Sequence, residues 1–316
     1  MSGRWPGRAR RIQAAILWPA LVLSMLLGIG VDGYGRSPGR KASIRVVGSV
    51  AASIVIVDDV RVGRTGESGA GTFSGLPPGR RSVVVRQPGF ADDRRTVVLA
   101  AGGISTVRPK RTKLVDEAER ARQSGEFLAA DGKHQLATVE FRRAISLRKN
   151  GFREAEIGLA RSLLALKDFD ASSTVAEAVA AAGPKSLEAQ TVLANVLRER
   201  GLYDEAAEAY RRAIALAPTR APEAHAGLAI LLAERGDLPG AAAEYKSAID
   251  QNLDAEPLLY QLYGSVLERL ERRAEAVAAY EHFLELAPKS SLASAVRSVV
   301  EQLKQHDDEN PYAPVP

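Results

Sequence analysis

The run Gly201-Leu202-Tyr203-Asp204-Glu205-Ala206, continued by Tyr210, Ala213 and Pro218, holds one period of a pattern that fills the C-terminal two-thirds of the chain. Counterparts of Tyr210 stand at Phe141, Ala176, Tyr245 and Tyr280, giving spacings of 35, 34, 35 and 35 residues. Leu128, Leu163, Leu197, Leu232 and Leu267 keep the same period, and an apolar residue lies seventeen positions after each, at Ile145, Ala180, Ile214, Ile249 and Leu284. Two small-residue registers complete the unit. One is Gly125, Ala160, Ala194, Ala229 and Gly264; the other is Ala137, Ser172, Ala206, Ala241 and Ala276.

Self-similarity at this period predicts a solenoid of helical hairpins. Small residues belong where two helix backbones cross closely, and larger ones fill the grooves between them. Pro184, Pro218 and Pro288 fall at the ends of three second helices, where a missing N–H and a clashing ring stop the helix. Carrying these features, residues 118–290 resemble the tetratricopeptide repeat. The third to fifth units are strong matches. The first lacks the closing proline, and the second has Ser172 and Ala176 in place of the usual alanine and aromatic.

Composition narrows the rest. The chain has 316 residues and no cysteine, which excludes disulfides, thiolate metal sites, a cysteine nucleophile and a cysteine-linked lipid. The net charge of +5 is unevenly spread: residues 1–41 carry +6, residues 42–114 carry +7, and the remainder carries −8. Because the basic charge is divided between a targeting segment and a small domain, nucleic acid is not an expected partner.

Arg4, Arg8, Arg10 and Arg11 precede an apolar run from Ile12 to Val31. A basic flank before such a run targets a membrane and sends the following chain across it. About 20 apolar residues suffice to span a bilayer, so a cleaved signal peptide and a retained anchor helix both remain open. Residues 1–41 are thus expected to be a leader or anchor plus linker, with the protein in the cell envelope, either periplasmic or membrane-anchored.

From 42 to 114 the pattern changes to short β-branched runs separated by Gly and Pro. Ser53–Val57, Ser82–Arg86, Thr96–Leu99 and Ile104–Val107 predict strands of a small antiparallel sandwich. Gly69, Gly71 and Gly75 read as a hairpin loop, and the pairs Asp58-Asp59 and Asp92-Asp93 as turn caps. The order of Ile54–Val57, Gly63-Arg64-Thr65, Leu76-Pro77-Pro78-Gly79, Val83–Arg86 and Pro88-Gly89-Phe90 resembles the PEGA domain. That resemblance implies extracytoplasmic placement and an adhesive or scaffolding role. Asp59 and Gly66 depart from it, standing where a turn glycine and a proline are common, and 67–71 reads as extra loop.

The expected architecture is therefore multidomain. An N-terminal apolar helix and linker (1–41) and a small all-β sandwich (42–114) precede an all-α solenoid of five hairpins with a capping helix (115–306) and a tail (307–316).

No motif supports catalysis. Gly28, Gly30 and Gly33 spell a dinucleotide fingerprint but lie after a membrane-targeting run, with Pro38-Gly39 where a helix must begin. His134, His225, His282 and His306 are dispersed, and none belongs to a metal-binding pattern. No catalytic residue, cofactor or metal is expected.

The informative surface is the inner wall of the solenoid, which is lined by first helices and suits an extended peptide or helix. Projecting the repeat family's groove positions gives Glu119, Arg122 and Glu126 in unit one, and Glu154, Ile157 and Arg161 in unit two. Unit three supplies Glu188, Thr191, Asn195 and Arg198; unit four Glu223, Ala226 and Ile230; unit five Leu258, Gln261, Ser265 and Glu268. Chaperone-binding members clamp a C-terminal carboxylate with Lys, Asn and Arg, and of these only Asn195 matches. The resemblance thus implies a protein partner with basic and apolar side chains. An alternative role is binding of a cell-wall or anionic envelope polymer by the β-domain, with the solenoid as spacer.

Overall fold

Eleven helices and seven strands make up the computed structural model, which describes residues 40–308. The apolar N-terminal segment, expected to be a helix, and residues 309–316 lie outside them. No described helix is long and apolar enough to cross a membrane.

The strands are β1 (Ala42–Val46), β2 (Ile54–Val57), β3 (Val60–Arg64), β4 (Gly71–Leu76), β5 (Gly79–Arg86), β6 (Asp93–Leu99) and β7 (Ile104–Val107). They form a three-stranded sheet ordered β4-β1-β7 and a four-stranded sheet ordered β3-β2-β5-β6. In β1 the alternation is plain: Ala42, Ile44 and Val46 are fully buried while Ser43 and Arg45 face outward. The inner faces meet in one core with Val55, Val57, Leu76, Val83, Val85, Leu99 and Val107.

Two readings of this region need correction. The sandwich is not purely antiparallel, because β1 runs parallel to β7, pairing Ser43 with Ile104 and Val46 with Val107. β1 and β7 lie some sixty residues apart in sequence, so no local turn ties them into a hairpin. Gly71 and Gly75 are not loop residues but belong to β4, whose pairing with β1 supplies the hydrogen bonds its weak strand propensity does not. The Asp58-Asp59 pair does form the β2–β3 turn, with both residues at positive φ, 48° and 68°. Asp92 and Asp93 instead pair with Arg86 and Arg95.

The helices form five antiparallel hairpins: α1 (Glu117–Ala130) with α2 (His134–Ser146), α3 (Arg153–Ala165) with α4 (Phe169–Ala182), α5 (Leu187–Glu199) with α6 (Tyr203–Leu216), α7 (Pro222–Glu234) with α8 (Leu238–Gln251), and α9 (Leu258–Arg269) with α10 (Arg273–Leu286). A last helix, α11 (Ala293–Asp308), covers the open end, packing Val296, Val300 and Leu303 on Tyr280 and Phe283. It runs two residues past the expected start of the tail.

Each repeat register has a physical role. Ala137, Ser172, Ala206, Ala241 and Ala276 are all fully buried at the close crossings, and the Ser172 hydroxyl donates to Ala160 O at 2.8 Å. Phe141, Tyr210, Tyr245 and Tyr280 are at most 3% exposed. The leucines serve twice. Leu163, Leu197 and Leu267 are buried, with Leu128 and Leu232 packed at the edges of the same cores. Their carbonyls also accept from the N–H of Asp168, Leu202, Arg272, Lys133 and Asp237 respectively, closing the first helix of each hairpin.

Aromatic residues interlock with the next hairpin through glycine. A Cβ built on Gly158 of α3 would lie 2.5 Å from Cε1 and Cζ of Phe141 on α2. Gly158→Ala is therefore expected to lower stability by about 1–3 kcal/mol through overpacking. Alanine's helix-propensity advantage of about 1 kcal/mol works in the opposite direction. Thermal melts of the two proteins check the sign.

Candidate functional site

The described residues fall in one compact unit, and within it the β-domain rests on the inner wall of the solenoid. Its anchor on α1 is polar. Arg86 of β5 donates to Asp92 through Nε and Nη2 at 2.9 and 2.7 Å, and to Glu126 Oε2 through Nη1 at 2.5 Å. Glu126 also pairs with Arg122, which in turn pairs with Glu119. Beside this network the Gln123 amide closes both ends of a turn, accepting from Gly89 N and donating to Phe90 O at 2.8 Å each. Arg64 of β3 bonds Asp131 at 2.5 Å and lies 5.5 Å from the centre of the Phe127 ring.

The far side of the β-domain meets loops between hairpins. Leu253, in the α8–α9 loop, packs on the β-core, and Arg220, in the α6–α7 loop, pairs with Asp59. Burial alone would push the Asp92 carboxyl up. The hydrogen bonds from Arg86, together with the charges of Arg86, Arg94 and Arg122, hold it below the usual carboxylate range.

Between these anchors lies a cavity of about 1400 Å³. One wall is the β2–β3 turn and edge strand β3, from Asp58 to Gly63, with Pro77 and Arg81. The other is the inner face, with Arg161 of α3, Pro222, Glu223 and Ala226 of α7, and Leu259 of α9.

Several expected groove residues converge here. Arg161 Nη2 donates to Glu223 Oε2 at 2.5 Å, and Asn195 Nδ2 donates to Glu223 Oε1 at 3.1 Å, so one carboxylate ties three successive first helices together. Asn195 Oδ1 accepts from the Tyr210 hydroxyl at 2.6 Å. Burial raises the Tyr210 phenol above its ordinary value, which keeps it a neutral donor. Arg198 reaches Glu234 at 3.2 Å. The cluster is half-exposed, and its carboxylates and guanidinium planes present charge-assisted hydrogen-bonding capacity to an incoming chain.

Other expected positions stand apart. Arg122 and Glu126 do not face an open groove: Arg122 is buried and pairs with Glu119 and Glu126 on its own helix, and Glu126 is engaged by Arg86 of the β-domain. Thr191 is buried and donates to Leu187 O at 2.8 Å, and Ile157 is buried as well, so neither reaches the surface. Glu188 and Glu154 are exposed at the rim, with Glu188 accepting from Ser186 Oγ at 3.2 Å. Ile230, Gln261 and Ser265 are half-buried, and Glu268 accepts from the Tyr280 hydroxyl at 3.0 Å.

The sequence reading missed the second wall entirely. Asp58 and Arg220 belong to a turn and a loop, and Arg61 and Arg81 to strands β3 and β5, none of which carries a repeat period. The signal that pointed to them was the opposite charge of the two domains, +7 against −8.

Among the described residues no three His, Asp or Glu side chains gather as a metal site. His225 is buried against Glu244, with 2.6 Å between Nδ1 and Oε2. His282 stacks edge-on against Tyr260.

Comparison with known proteins agrees with this architecture. Models of the tetratricopeptide repeat family match residues 157–221, 219–257 and 258–290. A search against curated proteins finds no significant match. Among solved structures, a thermophilic tetratricopeptide-repeat protein of Thermus thermophilus is similar at 22% identity, with a TM-score of 0.51, over 60% of this chain and 99% of that one. PilF of Pseudomonas aeruginosa is similar at 14% identity, with a TM-score of 0.52, over 61% of this chain and 86% of that one. Yeast Tom70 is similar at 17% identity, with a TM-score of 0.52, over 62% of this chain and 42% of that one. At these identities the likeness is one of fold. The helical part of the chain is a tetratricopeptide-repeat solenoid preceded by a small β-rich region.

Proposed function

We propose that this tetratricopeptide-repeat protein is a non-enzymatic scaffold of the cell envelope, exported and either anchored or released, that binds a protein partner in its groove. Tetratricopeptide repeats generally mediate protein–protein interaction. The observation that carries the reading further is the half-exposed Arg161–Glu223–Asn195 cluster, of which Arg161 and Glu223 line the cavity of about 1400 Å³. An extended segment entering there meets side-chain hydrogen-bonding groups on the solenoid and the free edge of β3 opposite. Affinity would come from a few such anchors and not from area alone.

The β-domain as a PEGA-like adhesive module that binds envelope polymer, with the solenoid as spacer, is the second reading, and its +7 balance motivates it. The docking of the β-domain on α1 and on two inter-hairpin loops argues against the spacer half of that idea.

The test is photo-crosslinking in cells from a probe at Gln261, followed by capture of the adduct. The double variant Asn195→Ala, Arg198→Ala is expected to lower the adduct at least tenfold, in line with losses of about 1–2 kcal/mol at interface anchors. Arg211→Ala on an exposed site of α6 serves as control. Equal adduct from all three proteins would dismiss the groove as the binding surface.

A further inference from the structure

The four-stranded sheet and the β2–β3 turn meet the solenoid, but among the described residues nothing covers the outer face of the three-stranded sheet. Lys41, Arg45 and Arg108 project from that face, interleaved with the hydroxyls of Ser43, Thr72, Ser74 and Thr106. Arg40, Lys110 and Arg111 flank it, and all six cations are exposed. The three strands contain no acidic residue. Four of the five acids of the β-domain are engaged elsewhere: Asp58 with Arg81, Asp59 with Arg220, Asp92 with Arg86 and Asp93 with Arg95. At one end of the face Ile104 is 56% exposed, with Val98, 67% exposed, at the same corner.

We infer that this outer face docks on an anionic bilayer surface, through the lipid phosphates and carboxylates. The inference rests on the reading of residues 12–31 as a membrane-targeting segment. The chain that follows that segment enters the fold here and nowhere else: Arg40 O accepts from Gly102 N at 3.0 Å, and the next residues become β1, the central strand of this sheet. The eight linker residues from Asp32 to Gly39 can span at most about 28 Å. A retained anchor therefore holds the basic face within that distance of the headgroups, at an effective concentration on the order of millimolar. Hydroxyls and guanidinium groups match phosphate oxygens, and Ile104 and Val98 can enter the headgroup layer as single apolar contacts. With the sheet lying on lipid, the solenoid and its cavity are held on the opposite side of the β-domain.

Because the chain lacks cysteine, Thr106→Cys provides a unique site for a fluorophore on this face, and Ser298→Cys on α11 provides a control. The full chain is reconstituted in vesicles of brominated phosphatidylcholine, with or without 30 mole per cent brominated phosphatidylglycerol. The label at position 106 is expected to be quenched only in the anionic vesicles and released by 0.5 M salt, since screening shortens these attractions. The control label should not respond. Lys41→Gln, Arg45→Gln, Arg108→Gln should lower the contact equilibrium about 100-fold, each cation near a charged leaflet contributing about fivefold.

Failures are separable. A chain that stays with neither vesicle refutes the anchoring, and the proposal with it. A chain that stays with both and quenches equally, or not at all, refutes the face alone. A response to soluble polyphosphate in zwitterionic vesicles, without quenching in anionic ones, assigns the face to a polymer and overturns the lipid.

Discussion

Tyr210→Ala should reduce unfolding free energy by about 3–5 kcal/mol, the range for truncating a large buried aromatic side chain. Tyr210 is fully buried in a core built by α5, α6 and α7, with Ala194, Ala206, Ala224 and Leu228 around it. Three of those neighbours are backbone-near alanines with little freedom to close the void, so the cavity term stays large. Tyr210→Phe keeps the ring and loses only the hydrogen bond to Asn195, at about 0.5–1.5 kcal/mol. Denaturant melts of both variants give the comparison. A Tyr210→Ala loss below about 1.5 kcal/mol would mean that the hairpins do not share a continuous core.

The second large effect concerns the docked β-domain. Arg86→Ala is expected to cost about 1–3 kcal/mol, because it takes the two-pronged partner from half-buried Asp92, which keeps only a long contact to Arg94, and leaves Glu126 with Arg122 alone. Part of the penalty falls within the β-domain, at Asp92, and the rest on the Glu126 contact between domains, so the variant should release the β-domain while both cores persist. Small-angle scattering should show a larger radius, and proteases should cut the segment between β7 and α1, residues 108–116. An unchanged profile with intact melting would show that the contacts of Gln123, Leu253, Arg64 and Arg220 hold the β-domain without Arg86.

The same contact gives a pH dependence. Asp92 titrates below its unfolded value in the folded protein, so it stabilises above the ordinary carboxylate range. That contribution is lost as pH falls through its depressed folded value. The β-domain should therefore loosen as the solution is taken well below pH 4, and the loosening should be absent in Arg86→Ala.

How far the sequence could be read depends on which contacts are local. Phe141, Tyr210, Tyr245 and Tyr280 announce the hairpins because each buries against its own or the adjacent hairpin, less than one repeat length away in sequence, and spacing alone records that. β1, β3 and β4 left no such trace. Gly71-Thr72-Phe73-Ser74-Gly75-Leu76 has poor strand propensity, and its pairing partner lies some thirty residues earlier. Arg122 and Glu126 look in sequence like an ordinary solvent-facing pair four residues apart on one helix. Their burial comes from Arg86, forty residues before Glu126, and no periodicity encodes that meeting. The groove was therefore legible as a surface, with Arg161, Asn195 and Glu223 on it, but its partial cover was not.

The fit between aromatic rings and glycines has a consequence for how such an array can be rearranged. Phe141 seats over Gly158 and Tyr210 over Gly227, while the corresponding place facing Ala176 is filled by Val192. At these three joints bulk on one hairpin is matched by absence of bulk on its successor, and the reverse, whereas Tyr245 meets Leu262 at the fourth. The modules are keyed to their order. Exchanging the second and third units would set a ring against a valine and an alanine against a glycine, so a shuffled array would keep every repeat motif and still lose the joints between them.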